Sequence, residues 1–122
     1  METKIVSGML RLTLVDATLT HSTEFFAKMD PYVTITVAGF RVKSKVIKKG
    51  GKHPVWNETM DIKIRDIDEV IQIHVLDLDM TKSDLIGLHE VQAAKLIVNN
   101  GVDTKLDLTY HKKPAGLLHI KT

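Results

Sequence analysis

The sequence predicts an all-β protein, an eight-stranded antiparallel β-sandwich over residues 1–122. Short segments alternate apolar and polar residues with a period of two, which is typical of strands with one buried face. Turn-forming residues separate these segments at short intervals, as in sandwiches. The chain has 122 residues, 43% of them apolar, which suits one domain with one packed core and argues against disorder.

The first half of the chain contains four predicted strands. In the first, residues 9–15, Leu10, Leu12 and Leu14 share one face. Residues 16–30 have no clear period and predict a long connection, which in compact domains tends to be functional. Further strands are expected over 32–37, 41–46 and 59–65. A tight turn lies at 38–39, and a basic, glycine-containing loop spans 48–53.

The second half continues the pattern. Ile71, Ile73 and Val75 alternate with polar residues in a fifth strand over 70–76, and a sixth covers 86–91. Residues 92–98 favour a short helix that ends at Asn-Asn-Gly. The last two strands are predicted over 105–110 and 117–121, with a turn over 112–116. Because strand ends gather at the two ends of a sandwich, the connections after strands one and five can lie side by side.

Three carboxylates, those of Asp77, Asp79 and Asp84, lie within eight residues directly after the fifth strand, in a predicted loop. Crowded carboxylates repel one another, and hard cations with oxygen ligands relieve that repulsion. The segment is therefore either a calcium site or a solvated acidic turn, since Asp and Ser are ordinary loop residues. An EF-hand is excluded, because Lys82 and Leu88 stand where its loop needs Gly and Glu.

Several classes of function find no support in the composition. The chain has no cysteine, which excludes disulfides, thiolate zinc sites and cysteine nucleophiles. The net charge of +2 does not favour a strongly basic nucleic-acid binder. No apolar run approaches the ~18 residues of a membrane span, and the N-terminus lacks a signal-peptide core. We therefore expect a soluble, cytoplasmic protein.

No catalytic constellation is evident. His89 and Glu90 begin like a zinc-protease helix, but Ala93 stands where the second histidine is needed. No serine lies in a Gly-x-Ser-x-Gly motif. We expect no enzymatic activity.

Three segments together resemble the C2 domain family. They read Met-Asp-Pro-Tyr-Val at 29–33, Lys-His-Pro-Val-Trp-Asn-Glu at 52–58, and Val-Leu-Asp-Leu-Asp at 75–79 with Asp-Leu-Ile-Gly at 84–87. The Leu-Val-Asp-Ala sequence at 14–17 is similar to the small single-C2 proteins of the plant elicitor- and cold-responsive type. The resemblance implies a calcium- and lipid-binding sandwich. The strand order resembles the second of the family's two circularly permuted topologies.

In that family, two acidic residues of the first loop and three of the third bind calcium. The matching positions in this sequence are Glu24, Asp30, Asp77, Asp79 and Asp84. Glu24 stands where the family usually has Asp, and Lys82 adds a positive charge to the third loop. The number of calcium ions therefore stays open.

Aromatic and apolar residues stand near the same loops. Phe25 and Phe26 follow Glu24 directly, and Met80 lies between the aspartates of the third loop. Each aromatic ring either packs in the core or forms a loop tip, and beside a calcium loop we expect at least one at the tip, where it can enter a membrane.

Basic residues of the third strand share one face because their spacing is two. They are Arg41, Lys43 and Lys45, and the last two match lysines of the family's phosphoinositide groove. Thr34 and Thr36 stand on the facing strand, where phosphoinositide-binding members carry lysines. Half of that groove is thus absent from the sequence.

The sequence as a whole predicts a monomeric, calcium-dependent module that is recruited peripherally to anionic membranes containing phosphatidylserine or phosphoinositides. The alternative is a calcium-independent protein-interaction or scaffold domain with the same fold.

Overall fold

The computed structural model describes residues 8–24 and 28–122. This part of the chain forms eight strands and two short helices. They are β1 (Gly8–Leu19), β2 (Pro31–Val37), β3 (Phe40–Lys43), β4 (Val55–Ile64), β5 (Val70–Leu78), β6 (Ser83–Gln92), α1 (Ala94–Ile97), a 3-10 helix (Val98–Asn100), β7 (Asp103–Tyr110) and β8 (Lys113–Lys121). The predicted all-β class and the short helix after the sixth strand are confirmed.

The strands form two four-stranded antiparallel sheets. One has the order β7-β8-β1-β4 and the other the order β3-β2-β5-β6. A single pair, Leu88 opposite Thr109, joins β6 to β7 at the boundary between the sheets. The last strand lies beside the first, in the order expected for the second of the two topologies.

One apolar cluster fills the space between the sheets. The inward residues of β1, which include Leu12 and Leu14, pack with Ile73 and Val75 of β5 from the other sheet. Gly87 of β6 lies so close to β7 and β8 that a Cβ there would be 3.1 Å from the Leu108 side chain. The period-two pattern thus produces the predicted sandwich, with both inner faces in one core.

The first strand is longer than predicted. The pairing register shifts between Leu14 and Asp16, and β1 then continues to Leu19. Such a bulge inserts one residue and changes which side chains face the core, so Ala17 and Leu19 are buried after it. The shift interrupts the period of two, which explains why the alternation ends at residue 15 in the sequence.

The turn predicted over residues 112–116 is wrong. The β7–β8 turn is His111-Lys112, with positive φ values of 50° and 65°, the signature of a two-residue hairpin. Pro114 and Gly116 lie within β8. Gly116 is needed there because a Cβ would collide with the Thr18 carbonyl oxygen.

No helix in the part of the chain that the structure describes is long and apolar enough to cross a bilayer.

Candidate functional site

Three connections and the β7–β8 hairpin meet at one end of the sandwich. Loop 1 is residues 20–30, of which 20–24 and 28–30 are described, loop 2 is residues 44–54, and loop 3 is residues 79–82. They are neighbours because Pro31 pairs with Asp77, and Asp16 pairs with Val55. The sequence-based expectation that the connections after strands one and five lie side by side is confirmed.

Asp77 is the buried centre of this end. Its side chain is 0% exposed, and it belongs to β5 rather than to the predicted acidic loop. The Thr23 hydroxyl donates to Oδ2 at 2.7 Å, and the Asp30 N–H donates to Oδ1 at 2.8 Å. Both donors come from loop 1, so the Asp77 carboxylate holds loop 1 against β5.

Asp84 is also a strand residue. It lies in β6 and pairs directly with Asp77 across the β5–β6 ladder. Of the three aspartates predicted on one loop, only Asp79 lies in loop 3, where its carboxylate accepts the Met80 N–H at 2.6 Å. The correction has a simple cause: the β5–β6 ladder extends beyond the residues that the sequence assigned to strands, and Asp77 and Asp84 form one of its last pairs.

Glu24 of loop 1 lies close to these carboxylates. Asp77 raises the pKa of Glu24 above its ordinary value, first by offering an oxygen within hydrogen-bonding reach and then by its negative charge. Desolvation and the charges of Asp79 and Asp84 raise the same pKa further. The fold therefore gathers Glu24, Asp77, Asp79 and Asp84 from two separate parts of the sequence into one electrostatically repulsive group.

Asp30 faces a different neighbour. Its Oδ1 accepts the Lys49 N–H at 2.6 Å, so this carboxylate contacts the backbone of loop 2. Its backbone N–H meanwhile donates to Asp77, and its carbonyl oxygen accepts the Leu78 N–H at 3.0 Å. Asp30 thus links the acidic group to loop 2.

Lys82 introduces a positive charge beside the acidic group. Its Nζ lies 3.6 Å from Asp84 Oδ1. Both side chains remain in contact with solvent, so the ion pair contributes little to stability, about 0–1 kcal/mol.

The carboxylates are gathered but not closed around a common point. Within residues 8–24 and 28–122, no group of three or more His, Asp or Glu side chains is arranged to hold a metal ion. The chemistry of the group nevertheless fits a hard cation, because all its donors are carboxylate oxygens and their mutual repulsion is already evident at Glu24.

Met80, one of the residues predicted to contact lipid, lies in loop 3 beside the acidic group and is 99% exposed. Leu78, which the sequence did not single out, is also exposed beside it. Phe25 and Phe26 lie outside the described residues.

The predicted basic row is only partly a strand. Arg41 and Lys43 lie in β3 opposite Thr36 and Thr34, whereas Lys45 follows the end of the strand. All three basic side chains are exposed.

The structure adds an aromatic residue to the basic surface. Lys63 Nζ lies 5.2 Å and Arg65 Cζ 5.0 Å from the centre of the Phe40 ring, and Phe40 is itself exposed. The contact joins β3 to β4 across the two sheets. The alternation of the strands indicated that Lys63 and Arg65 lie across from the basic row, whereas the sequence did not single out Phe40. The sequence analysis also missed Thr23, because its role is a hydrogen bond to Asp77, which is 54 residues away along the chain.

Comparisons with known proteins agree with this architecture. The family model described as "C2 domain" matches residues 8–108. Extended synaptotagmin-1 of Mus musculus is 30% identical over 95 residues, which are 77% of this chain and 8% of that protein. The chain thus spans a small part of the length of this relative.

Two solved structures show the same fold. A C2 domain-containing protein from an elicitor-responsive gene superposes with a TM-score of 0.78 at 22% identity, covering 99% of this chain and 91% of that one. A structure of two C2 domains of extended synaptotagmin 2, solved with calcium bound, matches with a TM-score of 0.80 at 25% identity, covering 97% of this chain and 46% of that one.

Proposed function

The chain belongs to the C2 domain family, and from that membership we propose that it is a calcium-dependent membrane-binding module rather than an enzyme. The observation that carries the proposal is the convergence of Glu24, Asp77, Asp79 and Asp84 at one end of the sandwich. A relative of similar fold, extended synaptotagmin 2, has a solved calcium-bound structure. The proposal treats residues 1–122 as one C2 domain.

Calcium, when bound, would supply a hard Lewis-acidic charge that neutralises the carboxylates and takes lipid phosphate oxygens as further ligands. Asp77 would serve as the fixed ligand, because two hydrogen bonds already hold its carboxylate. Glu24, Asp79 and Asp84 would complete the donor set, with Asp30 turning its second oxygen toward it.

Membrane contact would follow from the residues that surround the acidic group. Met80 and Leu78 present apolar side chains to solvent at the same end of the molecule, and burial of a complete apolar side chain contributes roughly 1.5–3 kcal/mol. Phe25 and Phe26 are proposed to join them at the tip of loop 1. The module would then be a cytoplasmic monomer recruited peripherally to the bilayer.

The lipid class is proposed to be anionic. Arg41, Lys43 and Lys45 are exposed and carry positive charge that favours phosphatidylserine or phosphoinositide headgroups. Each basic residue close to an anionic surface contributes about 1 kcal/mol.

Vesicle co-sedimentation tests the proposal. We expect the chain to sediment with phosphatidylserine vesicles in calcium and to remain in the supernatant in chelator. The double variant Asp79→Asn with Asp84→Asn should lose this binding. Asp61→Asn with Asp107→Asn removes the same charge from exposed positions outside the acidic group and should bind as the wild type does. Equal sedimentation in calcium and chelator would contradict the proposal.

Thermal stability provides a test that needs no membrane. A ligand that binds only the folded state stabilises it by about 2.7 kcal/mol at 100 times its Kd. The melting temperature should therefore rise in millimolar calcium, and an unchanged value would argue against a calcium site.

A calcium-independent protein-interaction domain is the second candidate. The observation that favours it is the Lys82–Asp84 contact, which already places a cation beside one of the proposed ligands. This candidate predicts no calcium response in either experiment.

A further inference from the structure

A concave, positively charged site lies between loops 1 and 2. Its volume is about 560 Å³. None of its described lining residues is acidic, and those that matter here are Ser22, Lys28, Gly50, Gly51, Lys52 and His53. Loop 2 contains four lysines and one histidine in residues 44–54, with no Asp or Glu.

The backbone that forms this site is held at both ends. The Leu19 N–H donates to the Lys52 carbonyl at 2.7 Å, and the Gly51 N–H donates to the Met29 carbonyl at 3.0 Å. Within the loop, the Gly50 N–H donates to the Ile47 carbonyl at 3.0 Å. Together with the bond from the Lys49 N–H to Asp30, these contacts fix loop 2 against β1 and loop 1. The site is therefore organised before any ligand arrives, which reduces the entropy lost on binding.

Glycine at position 51 shapes the site. Its φ of 61° lies in the left-handed region, which costs a residue with a Cβ. Its open face is covered by the aliphatic stem of Lys28, whose carbons would lie 3.6–3.8 Å from a Cβ added there. The Lys28 stem is thus placed over loop 2, and Lys28 lines the same site as Lys52 and His53.

These basic side chains have no ion-pair partner in the described part of the chain. Among the residues that the structure describes, neither Lys28, Lys52 nor His53 forms an ion pair, whereas Arg11, Lys82 and Lys121 each contact an aspartate. A row of lysines on a flat or convex surface is usually only solvated. Here two lysines and a histidine from two loops line one cavity, an arrangement that offers several hydrogen-bond donors, among them two ammonium groups, to a single anion.

We propose that this cavity binds a phosphate group, carried either by a lipid headgroup or by a soluble compound. Phosphate suits it because its several oxygens can accept from donors on different sides of the cavity at once. The site does not depend on the proposed calcium site, since its lining contains none of the acidic group.

Inorganic phosphate is the direct probe. The 15N-labelled chain is titrated with sodium phosphate in chelator, at constant ionic strength, and amide shifts are followed by NMR. We expect saturable shifts at Gly50, Gly51 and Lys52. In Lys28→Gln with Lys52→Gln, affinity should fall at least about tenfold, because charged hydrogen bonds to the anion are lost.

The matched control is Lys95→Gln with Lys105→Gln, which removes two exposed lysines on α1 and β7 and should bind phosphate as the wild type does. Dispersed amide spectra verify that each variant is folded. An absence of saturable shifts at the cavity would overturn the proposal. Equal affinity of wild type and Lys28→Gln with Lys52→Gln would do the same.

Vesicles in chelator distinguish the two sources of phosphate. If vesicles of phosphatidylcholine with phosphatidic acid bind the wild type but not Lys28→Gln with Lys52→Gln, the ligand is a lipid headgroup. If vesicle binding does not differ while the phosphate shifts do, the ligand is a soluble phosphate. Both results support the site. Because the phosphate titration contains neither calcium nor membrane, its failure would leave the proposed calcium-dependent function untouched.

Discussion

Loop 2 and the acidic group around loop 3 lie at the same end of the sandwich and carry opposite charge. The acidic residues around loop 3 are mostly held by strands, since Asp77 and Asp84 are paired between β5 and β6. The basic residues of loop 2 lie on the loop itself, and backbone hydrogen bonds to β1 and loop 1 hold that loop in place.

The two regions differ in how close their like charges lie and in how much water surrounds them. Around loop 3, carboxylates approach one another closely enough to raise the pKa of Glu24, so the group is repulsive without a cation. The basic side chains of loop 2 keep contact with solvent, and water solvates their charges. Asp30 contacts both regions, because its N–H donates to Asp77 and its carboxylate accepts from Lys49. Asp30 thus connects the acidic group to the basic loop 2.

The largest expected effect comes from removing the buried anchor of the acidic group. Asp77→Ala leaves the Thr23 hydroxyl and the Asp30 N–H without their acceptor, so the free energy of unfolding should fall by about 2 kcal/mol, net of relieved repulsion. Urea denaturation in chelator measures it. Asp79→Ala, at an exposed position, should change the same quantity by less than about 0.5 kcal/mol. Equal effects would mean that the two carboxylates do not differ in role.

A smaller effect tests whether backbone geometry organises loop 2. Gly51→Ala places a Cβ on a residue with φ of 61°, which should cost about 1 kcal/mol of unfolding free energy. Thr81→Ala in loop 3 is the comparison, and its exposed side chain predicts a change below about 0.5 kcal/mol. Urea denaturation of both variants measures the two changes in unfolding free energy. An unchanged unfolding free energy in Gly51→Ala would show that loop 2 adapts to a side chain at this position.

The smallest effect concerns the positive charge next to the carboxylates. If the acidic group binds calcium, Lys82→Gln should lower the calcium Kd about two- to threefold at low salt, because an exposed pair contributes about 0.5 kcal/mol. Titration calorimetry at two ionic strengths checks this, and the gain should shrink as salt screens the charge. Lys95→Gln, on α1, is the control. A weaker calcium affinity in Lys82→Gln would contradict this account of the Lys82–Asp84 contact.

The sequence by itself determined that eight strands form and which of their residues enter the core, although not where every strand begins and ends. Leu10, Leu12 and Leu14 alternate because one face of β1 is buried, and this relation between pattern and burial is local. The sequence also indicated that acidic residues after strands one and five would meet. The assignment of five of them as calcium ligands stays a prediction.

Tertiary structure alone decided the environment of each charge. Asp77 and Asp79 look alike in the sequence, yet one is buried and doubly hydrogen-bonded whereas the other is exposed. Asp30 contacts loop 2, and Lys28 covers Gly51, because loops distant along the chain arrive at the same place. The physical reason is that burial and partners belong to the space around a side chain, which only the packing of the two sheets defines, while the period-two pattern depends on neighbours along the chain.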